Sequence, residues 1–352
     1  MPSRNGPADF HSSPSREAIR ALPKAELHVH LDGSLRPSTM VDLAREQGVP
    51  LPSEDPEVLG RRMIAADASD LESYLERFAL TLSVMQTPEA LERIAYELAE
   101  DGALEGLRYM EVRFAPLLNV EQGLSHTEVV QAVAHGLQRA NRDHGIEARI
   151  IICALRSLDP SSSLEMARTA AECRHLGVVA FDLAGGEAGN PPMAHMDAFR
   201  LAREAGLPLT IHAGEGAGAE SIRQAVVLCG ASRIGHGTRL REDPALLELM
   251  VERQIPLEVC PTSNVQTRVA DSLAAHPVGE YLEAGIPVTL NTDNRMISGV
   301  DLTEEIAGTA EAQGWAGPQV RQVLRTAFEV AFVEEPVRAR LLADFDQAVQ
   351  AG

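Results

Sequence analysis

His28 and His30 lie one residue apart in the apolar run "AELHVHLDGS" (25–34). Successive side chains of a strand point to opposite faces, so these two imidazoles share a face with Val29 opposite them. Such a pair can hold a metal or can simply be packed; alone, it leaves both readings open. Three later segments close similar apolar runs with polar residues: "HAGE" (212–215), "GHG" (235–237) and "NTDN" (291–294). His28, His30, His212 and Asp293 together offer three imidazole nitrogens and a carboxylate, a donor set suited to one Zn²⁺. With one coordination position left for water, that water loses its proton near neutral pH and becomes a nucleophile. His236 remains to hold or deprotonate the water. Glu215, three residues after His212, can serve as a general acid if burial keeps it protonated.

Each of these residues also has an ordinary explanation. His236 between two glycines fits a satisfied histidine near a turn, "HAGE" fits a turn with a capping Glu, and Asp293 fits a helix cap. "TSN" (262–264) reads as a helix N-cap or turn. The joint pattern argues for a site, because four separate runs end in His or Asp at the same end.

The elements that must position them follow from the hydrophobic pattern. Eight short apolar runs occupy 25–31, 107–114, 148–155, 178–184, 208–214, 233–237, 256–260 and 287–293. Helical patterns separate them, several ending on Gly. Eight alternations predict a (β/α)8 TIM barrel, with a doubly wound open sheet as the alternative. Residues 37–106 predict extra helices inserted after the first strand, and 301–350 predict helices closing the barrel. In this fold the chemistry sits at the C-terminal ends of the strands, where the His and Asp residues fall. The domain reading is a disordered N-terminal tail over 1–16 and one hydrolase barrel over 17–352.

A chain of 352 residues with 45% hydrophobic content can build one large core. Its net charge of −20 repels phosphate backbones and anionic lipid, so neither nucleic acid nor a membrane is an expected partner. The four cysteines (Cys153, Cys173, Cys229 and Cys260) show no Cys-x-x-Cys spacing and read as buried thiols in a reducing compartment. No apolar run approaches the ~20 residues that span a bilayer. The expected location is the cytoplasm.

"PKAELHVHLDGSL" (23–35), "DLAGGE" (182–187), "HAGE", "RIGHGT" (233–238), "EVCPTSN" (258–264) and "LNTDN" (290–294) resemble, in this order, the adenosine deaminase family of the amidohydrolase superfamily. The resemblance implies one zinc per subunit, held by His28, His30, His212 and Asp293. It implies that Glu215 protonates N1 of a purine and that His236 orients the attacking hydroxide and helps take its proton. It further implies that the Gly185 N–H meets N3, that Asp32 holds ribose hydroxyls, and that Asn294 faces N7. The implied reaction is hydrolytic deamination of adenosine and 2′-deoxyadenosine at C6, giving inosine or 2′-deoxyinosine and ammonia. A 5′-modified adenosine nucleoside such as 6-aminodeoxyfutalosine, or adenine, is the alternative; Asp rather than Glu at position 32 favours a nucleoside. The segment 70–85 resembles the family's lid, with Leu71, Leu75 and Phe78 at helical spacing.

The chain departs from the family pattern at Asn294 (usually Asp), Gly186 (often Asp) and Arg268 (often Gly), the last expected to be exposed. Asn294 carries an NH₂ donor at every pH, so it can meet N7 without a raised pKa. Three competing classes are less favoured. Zinc deaminases with His-x-Glu and Pro-Cys-x-x-Cys lack a counterpart here. Barrel hydrolases with two metals need a Lys on the fourth strand, which is "VVAFDLA". A non-catalytic relative would not need every metal and proton-transfer residue.

Overall fold

The computed structural model describes residues 14–351. Eight strands form at the eight expected runs: β1 (Lys24–His30), β2 (Leu107–Phe114), β3 (Glu147–Leu155), β4 (Val178–Ala184), β5 (Thr210–Ala213), β6 (Arg233–His236), β7 (Leu257–Val259) and β8 (Val288–Leu290). Neighbours pair in parallel, β1 to β4 in one ladder and β5 to β8 in the other.

The two ladders meet at both edges. Phe181 N–H donates to Pro208 O at 3.1 Å beside an isolated parallel bridge to Leu209. At the other edge His30 N–H donates to Asp293 O at 2.7 Å, and Asp293 N–H to His28 O at 3.0 Å. The ring therefore closes, which decides for the barrel over the open sheet. The β1–β8 seam is completed by a side chain: Asn291 Oδ1 accepts from Leu27 N–H (2.8 Å) and His28 N–H (3.1 Å). There the β1–β2 register shifts between Glu26 and Val29. Such irregularities re-aim side chains next to functional sites.

Between β1 and β2 run the inserted helices Pro37–Gln47, Pro56–Met63, Leu71–Leu75, Phe78–Leu82 and Pro88–Leu104. The lid-like stretch 70–85 is thus two short helices. Asp70 caps the first, accepting from Ser73 N–H at 2.9 Å. Leu71 is buried and Phe78 packs partly buried against Ala65, Ala68, Tyr74 and Ile297. Helices Leu302–Gln313, Gly317–Glu329 and Glu335–Ala351 follow β8. Of the expected tail, residues 1–13 lie outside the described residues, while Ser15 caps a helix that begins at Arg16. The four cysteines are buried and free. Among the described residues no helix is long and apolar enough to cross a membrane.

Barrel interiors are usually filled by Val, Ile and Leu. This one carries a column of buried charge. Glu111 pairs with Arg233, whose Nε lies 2.6 Å from Glu258. Glu258 and Asp182 then flank Arg113 at 2.7 and 2.9 Å. All five side chains are at most 1% exposed, and each has an oppositely charged partner, the condition for tolerating charge in a core.

Candidate metal centre and active site

The strand ends bring His28, His30, His212 and Asp293 together, one ligand atom from each lying within 4.8 Å of the others. Asp293 Oδ1 is 3.2 Å from His28 Nε2 and 3.3 Å from His30 Nε2, and His30 Nε2 is 3.2 Å from His212 Nε2. His28 Nε2 is buried without a hydrogen-bond partner, an orphan that a cation would satisfy. Burial pulls the His30 and His212 imidazoles below their usual range, so both keep the neutral lone pairs that ligation needs. The residues therefore fit one divalent metal ion.

The outward nitrogens of two of these rings end on carboxylates of the interior column. His28 Nδ1 meets Glu258 Oε2 at 3.0 Å, and His212 Nδ1 meets Asp182 Oδ2 at 3.0 Å. These contacts fix each ring's tautomer and orientation. Ser263 Oγ holds Asp293 Oδ2 at 2.7 Å. Sequence reasoning assigned no role to Asp182, Glu258 or Arg113, and read Ser263 within "TSN" only as a helix N-cap or turn, whereas the helix runs Pro261–Gln266 with Cys260 as its N-cap. The available signal was a charged residue inside a strand run, as in "FDLA", "LEVC" and "EVRF".

Two strand-end residues, His236 (φ 63°) and Asp293 (φ 62°), adopt left-handed backbone without being Gly. Strain of this kind persists where surrounding structure over-determines it, commonly at functional sites. It turns both side chains into the barrel mouth.

Glu215 lies beside His236, with 3.5 Å between Oε2 and Nε2, and accepts from Thr267 Oγ1 at 3.2 Å. Burial, with the Asp293 and Glu187 charges nearby, pushes its carboxyl well above the usual range. Its loop is shaped by Glu187, which accepts from the N–H groups of Gly214 (2.8 Å), Glu215 (2.9 Å) and Ala217 (3.0 Å). Arg156 stands 3.7 Å from that carboxylate and also donates to the His212 carbonyl. Glu187 and Arg156 are further residues the sequence reading did not single out.

A cavity of about 280 Å³ opens next to Glu215, lined by Leu71, Gly216, Thr238, Thr267 and Arg268 among others. That is close to the lower bound, ~300 Å³, of small-molecule sites. Asp32 is buried, its Oδ1 has no partner, and burial pushes its carboxyl up to about 7. Gly185 turns the chain at φ 92° directly after β4. A Cβ at Gly186 would stand in ordinary van der Waals contact with Glu72 Oε1, 3.9 Å away. Arg268 is exposed, with its Nε donating to Ala68 O of the inserted helical region at 3.1 Å. Asn294 differs from its expected pose. Its Nδ2 donates to Tyr74 Oη at 3.0 Å, and its Oδ1 is buried without a partner. Tyr74 Oη also pairs with Ser298 Oγ at 3.0 Å, so the hydroxyl competes for the amide. Turning the amide over would present NH₂ and let Tyr74 donate to Oδ1.

The family model Adenosine deaminase matches residues 23–348. The chain belongs to the adenosine deaminase family. It is therefore a hydrolytic deaminase. Adenosine deaminase 1 of Streptomyces coelicolor is 43% identical, with 96% of this chain and 89% of that protein covered. Adenine deaminase from Arthrobacter aurescens superposes with a TM-score of 0.88 at 30% identity, covering 94% of this chain and 99% of that one. An amidohydrolase from Burkholderia ambifaria solved with bound Zn superposes with a TM-score of 0.84 at 26% identity, covering 99% and 96%. The cluster of imidazoles and Asp293, the inserted helices and the barrel strands all lie inside the matched span.

Proposed function

We propose that this deaminase hydrolyses the 6-amino group of adenosine and 2′-deoxyadenosine, with one Zn²⁺ held by His28, His30, His212 and Asp293. The observation that carries the reading is the convergence of those four ligand atoms beside the buried carboxyl of Glu215, whose pKa burial raises. When bound, zinc acidifies water and supplies a nucleophile at neutral pH.

The protein's own groups do the rest. Glu215, protonated, donates to N1 of the purine, which draws electron density from C6 and opens it to attack. Water oxygen bonds to C6, the C6–N bond breaks, and ammonia leaves, so the product is a 6-oxopurine. His236 Nε2 faces the reacting oxygen. Asp32 offers its partnerless Oδ1 to ribose hydroxyl donors. The positive φ of Gly185 lets backbone approach the ring edge near N3. Asn294, turned over, would donate to N7.

The test is ammonia release by zinc-loaded protein across adenosine, 2′-deoxyadenosine, 6-aminodeoxyfutalosine and adenine, compared as kcat/KM. Turnover of adenosine in preference to adenine supports the reading, and no turnover of any nucleoside refutes it. Adenine is the second reading, favoured by the structural likeness to an adenine deaminase, and a kcat/KM highest for the free base would install it. We place the enzyme in the cytoplasm, acting in purine metabolism on a small-molecule substrate.

A further inference from the structure

Behind His236 runs a chain of buried polar groups that the mechanism above does not use, one of which, Thr238, also lines the cavity. It begins at a backbone N–H. Val278 N–H can only donate, and it points at His276 Nδ1 from 3.1 Å. His276 Nδ1 is therefore the unprotonated nitrogen, and its single proton sits on Nε2. That nitrogen is 3.1 Å from Asn264 Oδ1. Thr238 Oγ1 approaches the same oxygen at 2.9 Å. The His276 Nε2–H is an obligate donor and fixes that side of the Asn264 amide as oxygen, and the Thr238 hydroxyl, able to donate or accept, follows by donating to it. The NH₂ must then face the other way, and it does: Nδ2 is 3.0 Å from His236 Nδ1.

We propose that Asn264, oriented by His276 and Thr238, fixes His236 as the tautomer bearing its proton on Nε2. His236 thus presents its Nε2–H to the reacting oxygen as a hydrogen-bond donor. A second proton on Nδ1 would set N–H against N–H of Asn264, among side chains of His236, Asn264 and His276 that are all at most 3% exposed. Burial, with Arg241 nearby, pulls His276 down to about 4, so this anchor stays neutral wherever the enzyme works. The left-handed backbone of His236 keeps the ring wedged between Asn264 and the metal-side imidazoles, its centroid 4.8 Å from that of His28. The two protons of the attacking water end on N1, by way of the Glu215 carboxyl, and on the departing amine, which leaves as ammonia. Asn264 and His276 are positioning residues, since they act only through His236.

The inference rests on the proposed deamination for its meaning, but the tautomer can be read without turnover. The direct measurement uses zinc-loaded enzyme labelled with ¹⁵N-histidine. Long-range ¹H–¹⁵N correlations are recorded, and His236 is assigned by its loss in His236→Gln. We expect an unprotonated Nδ1 and a protonated Nε2 across the active pH range. A proton on Nδ1, alone or as part of a doubly protonated ring, overturns the proposal. The kinetic arm uses Asn264→Asp, which keeps size and shape but turns the donor at Nδ1 into an acceptor. We expect the ring to flip to the Nδ1-protonated form. The kcat should fall about 10²- to 10⁴-fold, the range between loss of one preorganised donor and reversal of a tautomer. KM and zinc content should stay near wild type. Wild-type kcat in that variant overturns the proposal.

Should Asn264→Asp fail to fold, His276 supplies an independent pair. Gln at 276 can still donate to Asn264 Oδ1, and Leu cannot. His276→Gln should keep kcat within about threefold, and His276→Leu should lower it at least about tenfold at constant KM. Equal kcat in the two variants overturns the role of the chain. An enzyme that deaminates no nucleoside, yet shows the expected tautomer, refutes the proposed function and leaves the tautomer standing.

Discussion

Glu258 reaches up the barrel axis to place Oε2 3.0 Å from His28 Nδ1, while the same carboxylate takes Arg113 at 2.7 Å and Arg233 at 2.6 Å. One buried group thus orients a metal-side imidazole and neutralises part of two guanidiniums. Glu258→Gln should weaken zinc binding about 10- to 100-fold, the usual effect of losing such a partner. It should also lower stability by several kcal/mol, about 3–5, because buried arginine charge is left uncompensated. Asp182→Asn should weaken zinc through His212 in the same way. Competition against a chelator of known affinity, alongside thermal unfolding, checks both. Unchanged affinity in both variants would show that these carboxylates only balance charge.

Glu215→Gln should cut kcat about 10²- to 10⁴-fold, the range for a removed general acid, while zinc content and binding of a purine nucleoside persist. The pH sign follows from the direction of its shift. A carboxyl raised by burial is protonated, and competent to donate, on the acid side of its raised pKa. Activity should therefore fall on the alkaline side, and that limb should be absent from the residual activity of the Gln variant. A pH profile of kcat decides it.

Glu187 gathers three N–H groups of the Glu215 loop onto one carboxylate. A Gln there has one acceptor oxygen, and its NH₂ would oppose N–H donors. Glu187→Gln should lower kcat on the order of tenfold, with the loss of one or two net hydrogen bonds at ~1 kcal/mol each. Zinc affinity should change little. Equal losses in kcat and zinc content would instead indicate general damage to the barrel mouth.

Removing the metal should destabilise the fold. A ligand that binds only the native state stabilises it by RT ln(1 + [L]/Kd), about 4 kcal/mol at a thousandfold excess over Kd. Zinc-loaded protein should melt well above chelator-stripped protein, with the gap growing as free zinc rises. A melting temperature independent of zinc would contradict the site.

Glu305 offers a pH prediction away from the ligands. Its Oε1 accepts from Thr262 N–H at 2.8 Å, its Oε2 is buried without a partner, and burial pushes it up from 4.5 to about 7. A carboxyl raised in the folded state binds its proton more tightly there than in the unfolded chain. The stability this contributes is complete below 4.5 and is lost as pH rises through about 7. A shift of that size corresponds to roughly 3 kcal/mol at 1.36 kcal/mol per pKa unit. Glu305→Gln has no proton to lose. Its melting temperature relative to wild type should rise between pH 5 and pH 8, and a constant difference would refute the assignment.

The strands were legible because each is a short apolar run, and all eight formed where the pattern put them, within a few residues at the ends. The ligand residues were legible because they close those runs. The eightfold alternation predicted a closed ring, but not how it closes, with Asn291 bridging to β1 from over 260 residues away. The support beneath the imidazoles was only half legible. Asp182 and Glu258 stand inside quoted motifs, yet their function depends on Arg113, two strands from one and five from the other along the chain. Asn264 and His276 carry no periodic signal, and their meaning lies in which atom faces which. The Asn294 pose depended on Tyr74, a residue of the inserted helices that no local pattern links to the end of β8.

The ionic column has an implication for which ions the barrel can accept. Two guanidiniums, Arg113 and Arg233, face three carboxylates, and Asp293 at the top adds a fourth. The pillar by itself carries an excess of two negative charges, which a dication at its summit cancels and a monovalent ion would leave half unbalanced. Electroneutrality of the whole pillar, set by five residues beneath the ion together with its ligand Asp293, thus favours a dication in addition to what the ligand geometry selects.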